Sequence, residues 1–406
     1  MYFKDRIKTN HYMMKKKDEF FRGQINILEH LSKERPAGKR SVIYVHIPFC
    51  TKTCSFCSLI RSQIKLPDDY YLLIIEEIEK YSNLDYIKES VFDAVYFGGG
   101  TPTVLSPEMI KKLVCKIKES FNFTNDAEFT FETSVSELTD EKIDTLFEVG
   151  VNRISVGVQT FSNRGRKLLG RKGSGEFARA KLEKLKQKDF KVVGIDIIYS
   201  YPNQTLKELD EDLKTIFELE LDGFSMYSLI NIGKNNLPEM NQETDFEFFT
   251  RIIESSFQNG YKMLELTKMV KKDEYKYIVN RNKGEDTLPL GAGAGGNFKN
   301  VLIMNSPDLE SYKQSIKFFE NRNGIVVDSI YSEFLKIRGK IQMLEIPIDN
   351  EIVRNSSKAM DYIDQLISGN LAVKKEDKVY LTINGAYWGN NIGKKLIEIL
   401  QESIKL

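Results

Sequence analysis

Three of the four cysteines of this 406-residue chain, Cys50, Cys54 and Cys57, fall within eight residues in a C-x3-C-x2-C spacing. A disulfide framework spreads its cysteines along a chain, whereas a metal or cluster site gathers them. A structural zinc site asks for four ligands, and no histidine lies downstream at finger spacing. Thiolates favour iron–sulfur assembly, and a four-iron cubane normally takes four of them. With three, one iron lacks a protein ligand, and the amino and carboxylate groups of S-adenosylmethionine (SAM) can chelate it. Electron transfer into the sulfonium then breaks a carbon–sulfur bond and yields a 5′-deoxyadenosyl radical, while the protein binds, orients and excludes side reactions. The spacing therefore predicts a [4Fe–4S] cluster held by Cys50, Cys54 and Cys57, the catalytic metal centre. Cys115, in the amphipathic run MIKKLVCKIKESF, reads as a small buried hydrophobe.

Other residues with chemical use surround this cluster in the sequence. Tyr44 and His46 alternate on the run before it and Phe56 lies inside it; aromatic groups beside a cluster exclude water and help set its potential. Phe97-Gly98-Gly99-Gly100-Thr101-Pro102 lets backbone amides approach a ligand closely, because glycine carries no Cβ. Glu132, Gln159, Arg171 and Asp196 are polar residues at or just past the ends of β-rich runs. Together they could cradle a ribose, an amino acid and an adenine.

The elements that must carry these residues alternate. SVIYVHIPF, FDAVYFGGG, AEFTFET, RISVGVQ, VVGIDIIYS and DGFSMYSLI are β-rich, and amphipathic helical runs separate them. PDDYYLLIIEEIEKYSNL opens with Pro67 and acidic residues; SPEMIKKLVCKIKESF has Ser106 as a cap and Pro107 at its first position. Thr139 caps the next helix and Gly150 ends it. Six strand–helix repeats predict an α/β fold with a parallel sheet, open or barrel-like, whose site lies at the C-terminal strand ends. Residues 1–40 read as one or two short helices and 41–235 as the repeat region. Residues 236–320 read as a looser extension with an uncertain strand in YKMLELTKMV, and 321–406 as a small C-terminal α+β domain.

Composition is that of a globular protein, with 41% apolar and 29% charged residues and a formal net charge of +1. No global field points to nucleic acid or acidic lipid. No segment approaches the ~18 uninterrupted apolar residues of a membrane span, and the N-terminus lacks a signal peptide, so the expected location is the cytoplasm.

Tyr44-Val-His46-Ile-Pro48-Phe-Cys50, Cys54-Ser-Phe56-Cys57, Gly98-Gly-Gly-Thr-Pro-Thr103, Gly150-Val-Asn-Arg153 through Phe161, Leu169-Gly-Arg171 and Asp196 through Thr205 resemble one family. It is the radical SAM group of oxygen-independent coproporphyrinogen dehydrogenase, the heme chaperone HemW and the anaerobic heme-degrading ChuW/HutW enzymes. The resemblance covers residues 41–235 and implies a partial (β/α)6 radical SAM barrel. It implies SAM contacts from Tyr44, Phe56, Gly99, Gly100, Thr101, Glu132, Gln159, Arg171, Asp196 and Ser228. The dehydrogenase carries a further cysteine where Leu59 stands here. HemW carries a histidine after the barrel, which Gly291-Ala-Gly293-Ala-Gly295-Gly296-Asn297 lacks. That segment, Tyr227-Ser-Leu and Gly385-Ala-Tyr387-Trp388-Gly-Asn-Asn391 look like the ChuW/HutW branch. The branch implies a methyltransferase that opens heme without oxygen, giving a methylated linear tetrapyrrole (anaerobilin) and freeing iron. Heme as substrate and a low-potential electron donor such as flavodoxin or ferredoxin are the implied partners. The glycine segment is expected to admit a flat ligand. Tyr387 or Trp388 is expected either to stack on it or to belong to the C-terminal core. Three histidines, His11, His30 and His46, leave few axial ligands.

Overall fold

Along the central strands apolar side chains recur at every second position, and most residues between them are polar, glycine or tyrosine. That alternation gives the sheet two different faces. The computed structural model describes residues 3–9, 17–33, 40–57, 65–231 and 237–404; Leu59, His11 and the Arg35–Gly38 break lie outside them. After β1 (Phe21–Asn26), six parallel strands follow in chain order: β2 (Arg40–Ile47), β3 (Val91–Gly99), β4 (Asn122–Ser134), β5 (Arg153–Gln159), β6 (Val192–Tyr199) and β7 (Gly223–Ser228). Ile43 and Val45, Val95 and Phe97, Phe129 and Phe131, Ile154 and Val156, Val193 and Ile195, and Phe224 and Met226 join the main core beneath the covering helices. The residues between them, among them Tyr44, Tyr96, Glu132, Arg153, Asp196 and Tyr227, face the concave side. This is the α/β, partial-barrel arrangement that the sequence predicts.

The covering helices start and stop where their sequences say. Ser106 Oγ accepts from the Met109 amide at 3.3 Å with Pro107 in the first turn, and Thr139 Oγ1 accepts from Lys142 at 3.2 Å. Gly150 turns the chain at φ 76°. Helix Tyr70–Ser82 begins three residues after Pro67, so its acidic pair precedes the first turn rather than filling it. Cys115 is half-buried, more open than its amphipathic setting predicts.

Beyond β7 the uncertain strand resolves into a hairpin, β8 (Lys262–Glu265) and β9 (Lys268–Val270), with β9 antiparallel to β7. Helix Lys276–Asn282 then leads to β10 (Asp286–Leu290), which pairs parallel with β2. The nine-strand order β10-β2-β3-β4-β5-β6-β7-β9-β8 does not close on itself. Helix Lys276–Asn282 lies against β2 and β3, and Asn282 donates to Glu265 of β8 at 3.3 Å, bridging the two sides.

Strands β11 (Gly295–Phe298), β12 (Val301–Met304) and β13 (Asn323–Val327) form a second sheet with β1, in the order β1-β13-β12-β11. The N-terminal region is thus partly strand: its described residues hold one five-residue α-helix, Ile27–Leu31. Its backbone completes a sheet whose other strands lie some 300 residues on, which local periodicity cannot reveal. The C-terminal unit packs helices Ser329–Gln342, Ser357–Ser368 and Gly389–Ser403 around β14 (Glu345–Ile346), β15 (Ala372–Lys375) and β16 (Lys378–Leu381). Among the described residues no helix is long and apolar enough to cross a membrane.

Candidate active site

The three cysteines sit on the loop leaving β2, and that loop is pinned on both sides. Phe49 is buried edge-on against Tyr70, with ring centroids 4.9 Å apart. Thr51 donates to Glu137 at 2.6 Å, and the Ser55 hydroxyl donates to the Leu168 carbonyl at 3.0 Å. Cys50, Cys54 and Cys57 are all half-buried and line one cleft. Arg171 Nη1 donates to Cys54 Sγ at 3.2 Å, and Cys50 Sγ lies 3.5 Å from Thr101 Oγ1. Among the described residues no three potential ligands converge as a single ion requires. A cubane needs another arrangement, thiolates set around an open space with each on a different iron, and three cysteines lining one cleft suit it.

The same cleft collects most of the sequence-predicted residues: Phe56, Gly100, Thr101, Glu132, Gln159, Arg171 and Asp196 border it with the cysteines. Gly100 donates to the Ile47 carbonyl at 2.8 Å, and a Cβ there would overlap the Phe49 backbone. The glycines thus let two strand-end loops pass in contact, a packing reason beyond ligand access. Gly99 donates to Glu132 Oε2 at 3.3 Å, and the Tyr96 hydroxyl donates to Oε1 of the same carboxylate. Gln159 holds φ 73° at the end of β5, a left-handed turn that costs a non-glycine residue of order 1–3 kcal/mol. Its amide and Arg171 both lie over Gly157, and Arg171 donates to the Gly157 carbonyl.

Tyr44 is placed one layer deeper. Its hydroxyl meets His46 Nδ1 at 2.8 Å, and its ring stacks at 6.3 Å on Tyr96 and 6.1 Å on Tyr277. Ser228 departs from the expectation. It is buried, its hydroxyl donates to Asp245, and Arg6 and the Tyr387 hydroxyl bind the same carboxylate at 2.7 and 2.9 Å. That outward-facing cluster lies on the other side of β7 from the concave face.

Burial pushes the Glu132 carboxyl up to about 7, with Asp196 adding to the rise against the hydrogen bonds from Tyr96 and Gly99. Deeper still, burial would raise Asp273, but Arg153 and Lys268 hold it down to about 2. Arg153 clasps Asp273 through Nε at 3.0 Å and Nη2 at 2.8 Å.

One expectation changes, and of two left open for the C-terminal aromatics the core role is the one found. A Cβ on Gly291 (φ 92°) would overlap the His46 carbonyl, and one on Gly296 would overlap that of Thr287. Those glycines therefore fit backbone to backbone inside the chain rather than opening a ligand face. Tyr387 and Trp388 are core residues, 2% and 7% exposed, packed on Phe246, Phe249 and Phe3. His30 meets the Lys299 carbonyl at 3.0 Å, away from the cleft.

Sequence reading missed Tyr96, Tyr227 and Tyr277 as residues of the concave face, using Tyr227 only as a branch signal. For the first two the signal was the strand alternation itself: Tyr96 is two residues before Gly98, and Tyr227 two residues after Ser225. Tyr277 comes from the crossing helix, which no strand pattern foretells.

Residues 44–216 match the radical SAM superfamily. Anaerobilin synthase of Escherichia coli O157:H7 is 24% identical over 393 residues, 92% of this chain and 87% of that protein. Heme chaperone HemW of Buchnera aphidicola subsp. Schizaphis graminum is 30% identical over 270 residues, 64% of this chain and 70% of that protein. Among solved structures, the coproporphyrinogen III oxidase of Escherichia coli superposes with a TM-score of 0.78 at 24% identity, covering 91% of this chain and 92% of that one. The chain belongs to the radical SAM superfamily, within the group that joins coproporphyrinogen dehydrogenase and HemW. Its cofactors are a [4Fe–4S] cluster and SAM, and the three-thiolate cleft is suited to both.

Proposed function

We propose that this protein is a radical SAM methyltransferase that opens the heme macrocycle without oxygen, giving a methylated linear tetrapyrrole and free iron. The cluster and SAM supply, when bound, the electron and the carbon radical that the reaction needs. The chain's own residues do the rest. Cys50, Cys54 and Cys57 hold the metal, and Arg171 steadies the Cys54 thiolate through its 3.2 Å hydrogen bond. Glu132, Gln159, Arg171 and Asp196, with the backbone at Gly99–Thr101, bind and orient SAM. Glu132, with its carboxyl near neutrality, can hold or release a proton at Oε2. Tyr44, Tyr96 and Tyr277 form an aromatic cluster on the concave side, next to the open cleft that the strand-end residues line.

The observation that carries the reading is the match to anaerobilin synthase along 92% of this chain, post-barrel and C-terminal regions included. Anaerobic incubation with heme, SAM and a strong reductant is expected to yield 5′-deoxyadenosine and a methylated linear tetrapyrrole. Intact heme after many equivalents of SAM cleavage would sink it. The likeness to HemW supports a second reading, a chaperone that delivers heme whole. Transfer of intact heme to an acceptor apoprotein, with no ring-opened product, would decide for that reading. Carbon dioxide released from coproporphyrinogen would instead mark the decarboxylating relatives' reaction.

A further inference from the structure

Most cations inside this fold are spoken for. Arg153 is bound to Asp273, Arg322 to Glu77, Arg6 to Asp245, and Arg166 to four backbone carbonyls. Arg281 is not. It stands in the last turn of helix Lys276–Asn282, the element that crosses between the two free sides of the barrel sheet. A cation there offsets the helix dipole, but this does not account for where the side chain goes. The guanidinium lies over the Tyr277 ring, 5.6 Å from its centroid, and Nη1 reaches the Tyr277 hydroxyl at a long 3.5 Å. Among the described residues no carboxylate forms an ion pair with it. Glu265, the acid nearest in effect, is held instead by Asn282 at 3.3 Å and Thr267 at 3.4 Å.

The surroundings are those of a chamber open on one side. Arg281 is exposed to solvent, yet Tyr277, Tyr44 and Tyr275 all act on its charge and raise its pKa. Tyr227 is 44% exposed, yet it is raised by burial and by Asp196 on the same concave face. Between them lie Tyr96 and Tyr277, with ring centroids 4.6 Å apart. The chamber thus has the open ring of Tyr227 and the part-open ring of Tyr44 before a buried Tyr96–Tyr277 pair, with the polar cleft residues at one end and, at another, an exposed arginine that has no ion pair among the described residues.

We propose that Arg281 is the carboxylate anchor of the substrate chamber, taking a propionate-type side chain of a flat tetrapyrrole that lies against the inner tyrosines. The inference rests on the tetrapyrrole reading above and adds a specific contact to it. A guanidinium suits the task, since its planar fork binds a carboxylate through two parallel hydrogen bonds and stays charged at any working pH. Neutral esters of the same macrocycle keep the stacking and lose the anchor.

The test is absorbance titration of the cluster-loaded protein with heme and with heme dimethyl ester. Wild type is expected to bind the free diacid roughly tenfold or more tightly than the ester. Arg281→Gln should bind both as weakly as wild type binds the ester, and Arg281→Lys should recover part of the preference. Lys283→Ala removes the same charge two residues away, on the groove outside the barrel, and should behave as wild type. Unfolding midpoints of the variants guard against simple misfolding. A diacid preference that survives in Arg281→Gln, or that falls equally in Lys283→Ala, overturns the inference. So does wild type that binds heme without preferring it to the ester, and in that case the tetrapyrrole reading stands. Wild type that binds neither porphyrin overturns both.

Discussion

At the scale of single residues, the cleft holds groups whose ionisation the fold sets. Glu132 is ordinarily a carboxylate, but burial lifts it to about 7. Between the usual carboxylate range and pH 7 the folded chain therefore holds a proton that the unfolded chain releases. Stability must fall as pH rises through that window, by roughly 1–3 kcal/mol for a shift of this size on a half-buried group. In the ligand-free protein, Glu132→Gln should flatten the decline between pH 5 and pH 7.5, with the two proteins closest at the acid end. Thermal unfolding across that range checks it, and parallel curves would show that Glu132 titrates normally. Cys54 offers a second residue-scale outcome. Cys54→Ala removes one of three thiolates and the acceptor of the Arg171 bond, so iron and sulfide content after reconstitution should fall sharply.

At the scale of elements, legibility depended on period and punctuation. The six strands were readable because Val45, Phe97 and Phe131 alternate with polar or glycine neighbours, and the helices because Ser106, Thr139 and Gly150 mark their ends. Residues 21–26 were misread because a strand at the edge of a sheet closed 300 residues later has no local signature. The cysteines and strand-end polar groups were visible as types and spacings. Tyr277 and Arg281 were not, because a seven-residue helix outside the repeat carries them in. The Gly291–Gly296 segment shows how a glycine signal can be real yet misassigned. Gly291 combines φ 92° with a contact that a Cβ would turn into overlap with the His46 carbonyl. Gly291→Ala should cost about 3 kcal/mol, summing strain and overpacking. Gly260, at φ 79° with open space around it, should cost only about 1 kcal/mol on the same change. Urea unfolding of the two variants separates them. Equal losses would mean that backbone strain alone makes Gly291 necessary.

At the scale of the whole molecule, the barrel is tied to the regions beyond β10 through one buried acid. Glu77, fully buried on helix Tyr70–Ser82, accepts from the Gly291 amide at 2.8 Å, Asn305 at 3.0 Å, the Tyr312 hydroxyl at 2.7 Å and Arg322 at 2.8 Å. These donors lie 214 to 245 residues further along the chain. A carboxylate so placed is compensated only while its donors are present, so losing either charge leaves the other buried and alone. Arg322→Met and Glu77→Gln should each cost about 3–5 kcal/mol, and the double variant well under their sum, because it leaves no stranded charge. The network joins a barrel helix to helix Leu309–Lys317 and to the segments that flank the second sheet, so these regions should unfold in one transition in wild type. In Glu77→Gln, hydrogen exchange over residues 291–325 and circular dichroism from the whole chain should begin to report separate transitions, as the second sheet loses its tie to the barrel helix. Coincident transitions in that variant, with losses below about 1 kcal/mol, would mean that apolar packing rather than Glu77 holds the regions together.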